Sequence, residues 1–84
     1  MTSVAPRVVV ITRPGCHLCD DACDVVRSVC ADVGVGWTTQ DLEELESADR
    51  ARWREYIPVV LIDGRVHDVF RVDHDRLRAA LGSG

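Results

Sequence analysis

No stretch of this chain approaches the ~20 consecutive apolar residues that a helix needs to cross a bilayer, which argues against a membrane-spanning segment. The N-terminal residues Met1-Thr2-Ser3-Val4-Ala5-Pro6-Arg7 lack the charged start and long apolar stretch of a secretory signal, so a cytoplasmic protein is expected. Lysine is absent. All 10 basic residues are arginine, set against 14 acidic ones, and the net charge of −4 excludes the basic face of a general nucleic-acid binder. There is no internal repeat, and no low-complexity segment beyond the Gly-Ser-Gly tail.

What remains is an ordinary folding composition. The 84 residues, 46% of them hydrophobic, fit one domain over 1–84 with a modest core in which single substitutions are felt. Four cysteines without a secretion signal argue against a disulfide-stapled scaffold, since such scaffolds belong in oxidising compartments.

Val8-Val9-Val10-Ile11-Thr12 reads as a buried strand, Arg13-Pro14-Gly15 as a turn, and the residues after Cys16 as a helix. In that helix Leu18, Ala22, Val25 and Val29 form one apolar stripe, with Cys19, Cys23, Val26, Cys30 and Val33 forming a second beside it. So wide an apolar face suits a helix packed on a sheet and on another helix. Gly34 and Gly36 end it, and Val35 to Thr39 reads as a second strand, parallel to the first in a βαβ unit. The acidic run Asp41 to Glu46 reads as a solvated loop, and Ser47 as the cap of a short helix through Trp53. Val59 to Ile62, the pair Asp63-Gly64, and Arg65 to Phe70 predict a hairpin with a type I′ turn. Asp73 is positioned to cap a last helix with Leu77, Ala80 and Leu81 facing inward, stopped by Gly82.

The chemistry concentrates at Cys16-His17-Leu18-Cys19, where strand turns into helix. Unpaired N–H groups and the positive end of a helix dipole favour a thiolate there, so Cys16 is expected to be the more reactive thiol, with protonated His17 assisting. Cys19, three residues on, is close enough to close a small disulfide ring. Two cysteines at this spacing after a βαβ-type strand read as a redox motif. A zinc site wants four ligands, and neither a second cysteine pair nor the isolated His67 and His74 supplies them, so no metal is expected. Cys23 and Cys30 fall on an apolar stripe and read as core, where a free cysteine behaves as a small hydrophobe. Trp37, Trp53 and Phe70 read as core or hinge aromatics.

The element order, the Cys-x-x-Cys after the first strand and the proline opening the third resemble the thioredoxin fold, and more narrowly its small glutaredoxin-like proteins. The matching stretches are Thr12 to Cys19, Tyr56-Ile57-Pro58-Val59 and Leu61-Ile62-Asp63-Gly64. The resemblance implies an α/β architecture, βαβ-α-ββα, with a four-stranded mixed sheet and helices on both faces. It implies a thiol–disulfide oxidoreductase with Cys16 attacking and Cys19 resolving, and with Ile57 and a cis Pro58 facing them to pair with a bound thiol or peptide.

It also implies a binding region. Arg13, before the motif, can hold a carboxylate, and Asp73 stands for the acidic cap of the last helix. The Gly-Gly pair usual before that cap is replaced by Val69-Phe70-Arg71-Val72, whose side chains hinder close backbone approach by glutathione. The expected partners are a disulfide-bearing protein or small-thiol substrate and an external electron donor: a reductase, or a small thiol other than glutathione. A monomer without a cofactor is expected, and without nucleic-acid or membrane partners. The alternatives are a non-catalytic binding module of the same fold, or a metal or cluster held through Cys16 and Cys19 across a dimer.

Overall fold

A computed structural model describes residues 6–82. Strand β1 (Val8–Thr12) leads through a turn into helix α1 (His17–Val33), then strand β2 (Trp37–Asp41) and a single 3-10 turn, Leu42–Glu44. Helix α2 (Ser47–Trp53), strands β3 (Val59–Ile62) and β4 (Arg65–Val69), and helix α3 (His74–Gly82) complete the described chain. The sheet order is β2-β1-β3-β4, with β1 parallel to β2 and antiparallel to β3, and β4 antiparallel to β3. This is the mixed four-stranded sheet of the thioredoxin-like fold.

Because β1 has a neighbour on each edge and helices over each face, its run of β-branched residues is apolar on both sides. Val8 and Val10 join Val60, α1 (Ala22, Val26, Val29, Cys30) and α3 (Leu77, Leu81) in one cluster. Ile11 and Val59 join Cys19, Leu42 and Ile57 in a second, with Trp53 and Leu45 packed against it. The period-2 alternation of strand side chains thus splits the core between two faces. No polar or charged residue among those described is buried, and none of the described helices is long and apolar enough to cross a membrane.

Helix α1 ends where the glycines indicate: Gly34 adopts φ +74 and donates its N–H to the Cys30 carbonyl at 2.9 Å. Val35 donates to the same carbonyl at 3.0 Å. That second bond is why β2 starts at Trp37 and not at Val35. The Val35 N–H is already used in closing the helix, and the register with β1 begins at Val8 opposite Trp37.

Other local expectations are corrected in the same way. Ser47 is the first residue of α2, not its cap; Glu46 precedes it without a side-chain cap bond, and the Ser47 hydroxyl accepts from Arg50 instead. The acidic run is not merely solvated, because Leu42 is buried at 2% exposure while Asp41 caps the 3-10 turn by accepting the Glu43 N–H at 2.9 Å. The hairpin turns through Asp63 and Gly64, both at positive φ as a type I′ turn requires. In β4 the pairing jumps from Val66 opposite Leu61 to Asp68 opposite Val60, so His67 is the extra residue of a bulge.

Asp73 does cap α3, its Oδ1 accepting the Arg76 N–H at 2.9 Å. Leu77, fully buried, is the helix's main anchor in the core. Leu77→Ala should therefore cost about 2–5 kcal/mol of stability, and Asp73→Ala only about 1 kcal/mol. Urea denaturation of the two variants checks this. Equal losses would mean that α3 is held by its cap and not by its packing.

Candidate active site

Cys16 is the N-cap of α1. Its backbone is extended (φ −102, ψ 110), and its carbonyl accepts the Asp20 N–H at 3.3 Å, the first bond of the helix. Its Sγ accepts the backbone N–H of Cys19 at 3.1 Å. A cap ordinarily uses a serine, threonine or aspartate oxygen. Here a sulfur fills that place, and an anionic sulfur is the stronger acceptor. The local cause is the buried β1, which delivers the chain to Arg13-Pro14-Gly15, where Gly15 at φ +74 makes the reversal into the helix.

Cys19 lies one turn deeper, 3% exposed in the cluster with Ile11, Leu42, Ile57 and Val59. Burial, and then its hydrogen bond with the Cys16 side chain, push its thiol from an ordinary 9.0 up to about 12, with a backbone hydrogen bond from Arg13 acting the other way. Cys16, half-buried, packs against the same cluster. The two sulfurs are thus unequal: one at the mouth with a backbone donor, the other sealed beneath it as a neutral thiol.

Cys23 and Cys30 belong elsewhere, against the cluster shared by α1 and α3, and burial raises both of their thiols. All four cysteines are unpaired here, and the described residues contain no group of three metal-ligating side chains.

The Ile57–Pro58 peptide bond is cis, with Pro58 fully buried and Ile57 packed in the cluster that Cys16 abuts. His17 is exposed as the first residue of α1, and Arg13 is exposed in the turn before it. Asp73 lines a groove of about 390 Å³ between α1 and the β4–α3 connection, together with Leu18, Asp21, Val25, Phe70 and Arg76; Arg13 does not line it.

Phe70 is not a core aromatic. Strand β4 stops at Val69, and Phe70 turns to φ +65 with its side chain 45% exposed. Its N–H is fixed to the Pro58 carbonyl at 2.9 Å, and Arg71 donates across it to Val69 at 2.7 Å, a three-residue turn that costs a non-glycine residue about 1–3 kcal/mol. Tyr56, 48% exposed, stands beside it with ring centroids 6.0 Å apart. Sequence reasoning missed this pair, along with the groove-lining Leu18, which reads there as a core position. The available signal was an aromatic where the glycine pair would stand.

Residues 7–82 match the family described as Glutaredoxin-like domain (DUF836). Uncharacterized proteins of Mycobacterium tuberculosis and Mycobacterium bovis are each 35% identical over 78 residues, covering 88% of this chain and 80% of theirs. A solved structure of a structural-genomics target protein from X. campestris superposes with TM-score 0.73 at 24% identity, covering 92% of this chain and 97% of that one. A glutaredoxin from Archaeoglobus fulgidus superposes with TM-score 0.60 at 17% identity, covering 94% and 88%. At these identities the structural likenesses establish the fold alone.

The raised Cys19 thiol has a pH consequence. Folding favours the protonated form of a group whose folded value lies above its unfolded one, so its contribution is intact below 9.0 and is lost as pH rises towards 12. Urea midpoints of the wild type should therefore fall more steeply than those of Cys19→Ser above pH 9.0. Parallel curves would contradict the sealed, neutral state assigned to Cys19.

Proposed function

The chain belongs to the glutaredoxin-like domain family, and from that premise we propose that it is a thiol–disulfide oxidoreductase working through Cys16 and Cys19. The observation that carries the reading is the asymmetry of the two sulfurs. Cys16 caps the helix at the mouth, with its Sγ on the Cys19 N–H, and Cys19 is buried one turn below.

The Cys16 thiolate attacks one sulfur of a substrate disulfide; a Cys16–substrate S–S bond forms, and the other substrate sulfur leaves as a thiolate that takes up a proton. Cys19 then attacks Cys16. At rest, the hydrogen bond and the like charge of Cys16 both help to hold the Cys19 proton. Once Cys16 sits in a mixed disulfide both influences vanish, so the resolving thiol ionises more readily at the step that needs it. Its proton goes to solvent, the Cys16–substrate bond breaks, and the substrate leaves fully reduced. The protein is left with a Cys16–Cys19 disulfide, which an external donor of two electrons restores.

Around this exchange, Ile57 and the cis Pro58 face the substrate sulfur, as the family resemblance implies, exposed Arg13 brings positive charge, and His17 is exposed beside Cys16. Both thiols come from α1, so one chain suffices. The substrate is a disulfide-bearing protein or small disulfide. The donor is a reductase or a small thiol other than glutathione, because Phe70 and Val72 put side chains where close backbone approach to the tripeptide would be needed.

Cys16→Ser should abolish disulfide reduction. Cys19→Ser should still form the mixed disulfide but fail to release it, so that it accumulates as a covalent adduct visible by mass spectrometry. Equal turnover by both variants would contradict the assignment of roles.

A further inference from the structure

Three features surround Pro58 that the exchange chemistry alone does not use. Tyr56 and Phe70 expose nearly half of their side chains, with their rings 6.0 Å apart and tilted by 44°. Tyr56 lies two residues before Pro58, and the Phe70 N–H is bonded to the Pro58 carbonyl, so both rings are tied to the loop that faces the dithiol. Phe70 is held outward at φ +65 although a glycine would adopt that angle freely. A strained backbone that presents an apolar ring to solvent does nothing for the core; such strain collects where a surface has work to do.

Phe70, with Tyr56 beside it, lines the groove that contains Leu18, two residues past Cys16, with Val25 and Val72 on its walls. Its charged groups are Asp21, Asp68 and Asp73 against Arg71 and Arg76, an excess of one negative charge. Arg76 is bonded to Asp68 at 3.4 Å, and Asp73 accepts the Arg76 N–H, whereas Asp21 has no ion pair among the described residues. Asp20 and Asp24 add to the acidity of the adjoining helix surface, where Arg27 pairs with Asp24. Glutathione carries one more carboxylate than ammonium and offers no large apolar group. It matches neither the rings nor the charge.

We infer that Tyr56 and Phe70 form an aromatic shelf that selects polypeptide disulfides in which the attacked half-cystine is flanked by a large apolar residue and then a basic one. The apolar side chain lies on the shelf, the basic one reaches Asp21, and the backbone runs past Pro58. This substrate class rests on the proposed exchange reaction, in which the shelf takes no covalent part: Cys16 bonds to the half-cystine sulfur, and the second substrate sulfur leaves as a thiolate. Tyr56 and Phe70 are specificity-determining residues.

The test uses Cys19→Ser, which retains the adduct, and follows adduct formation by mass spectrometry with three probes. These are a blocked peptide disulfide with phenylalanine and arginine beside the half-cystine, the same peptide with alanine and glutamate, and glutathione disulfide. The aromatic-basic peptide should react about tenfold faster than the other two, the scale expected of one aromatic contact with a complementary charge. Adding Phe70→Gly, which relaxes the backbone while removing the ring, or Tyr56→Ala, should bring that ratio to within about twofold. Binding of the redox-inert serine analogues to the wild type, followed by NMR shifts of the Tyr56 and Phe70 rings, reads the shelf without the exchange chemistry. The aromatic-basic analogue should move both rings and the alanine-glutamate analogue neither. Adducts that form with all three probes at similar rates, or a preference that survives both variants, would overturn the shelf and leave the exchange reaction standing. Ring shifts without any adduct would support the shelf and overturn the exchange reaction.

Discussion

The hydrogen bond from the Cys19 N–H to the Cys16 sulfur, 3.1 Å long, organises this molecule. A helix start leaves backbone donors unpaired, and something must accept them. By giving that task to a cysteine, the chain makes one group serve both as a structural cap and as a candidate nucleophile. The position is enforced from outside the motif. Strand β1 is fixed by neighbours on each edge, and α1 by Ala22, Val26, Val29 and Cys30 on the sheet, so the sulfur between them has little freedom. The second cluster, Ile11, Leu42, Ile57 and Val59, seals Cys19 and keeps it a neutral thiol, with its proton held partly by Cys16 itself. The asymmetry of the dithiol is therefore a product of the fold as a whole and not of the four-residue motif.

Features with a local physical signal were legible in the letters. The β-branched run of β1, the buried Ala22, Val26, Val29 and Cys30 of α1, the left-handed Gly34, the Asp63-Gly64 turn and the Asp73 cap each follow from short-range sterics or hydrogen bonding, and each stands where the sequence places it. Features set by competition for a backbone group were not legible. The start of β2 moves to Trp37 because α1 uses the Val35 N–H, and Ser47 loses its capping role with its hydroxyl accepting from Arg50. Leu42 is drawn into the core from an acidic run because the second face of the sheet needs more cover than α2, which offers only the partly buried Trp53, supplies.

Phe70 shows the limit most clearly. Nothing in its identity announces a positive φ, and an isolated aromatic after a strand reads as core. Its conformation follows from two bonds formed at a distance in sequence or across the turn: its own N–H to Pro58, and Arg71 to Val69. Those bonds place a ring beside Tyr56, next to the Ile57–Pro58 loop. Where the resemblance implies a glycine pair, the chain thus presents an apolar ring in place of bare backbone. The start of α1 holds the two cysteines and the loops at Pro58 and Phe70 hold the exposed rings, so the candidate nucleophile and the aromatic pair lie on different segments.

The central claim is that Cys16 and Cys19 form a reversible two-electron couple while the other thiols stay apart. Equilibration of the purified protein in buffers of graded thiol–disulfide ratio, with cysteine pairing mapped by peptide mass spectrometry, tests it directly. The account predicts a single Cys16–Cys19 disulfide whose population follows the two-electron slope, a tenfold change in equilibrium constant for about 30 mV, with Cys23 and Cys30 free throughout. A disulfide that recruits Cys23, or a Cys16–Cys19 pair that stays reduced across the whole range, would contradict it.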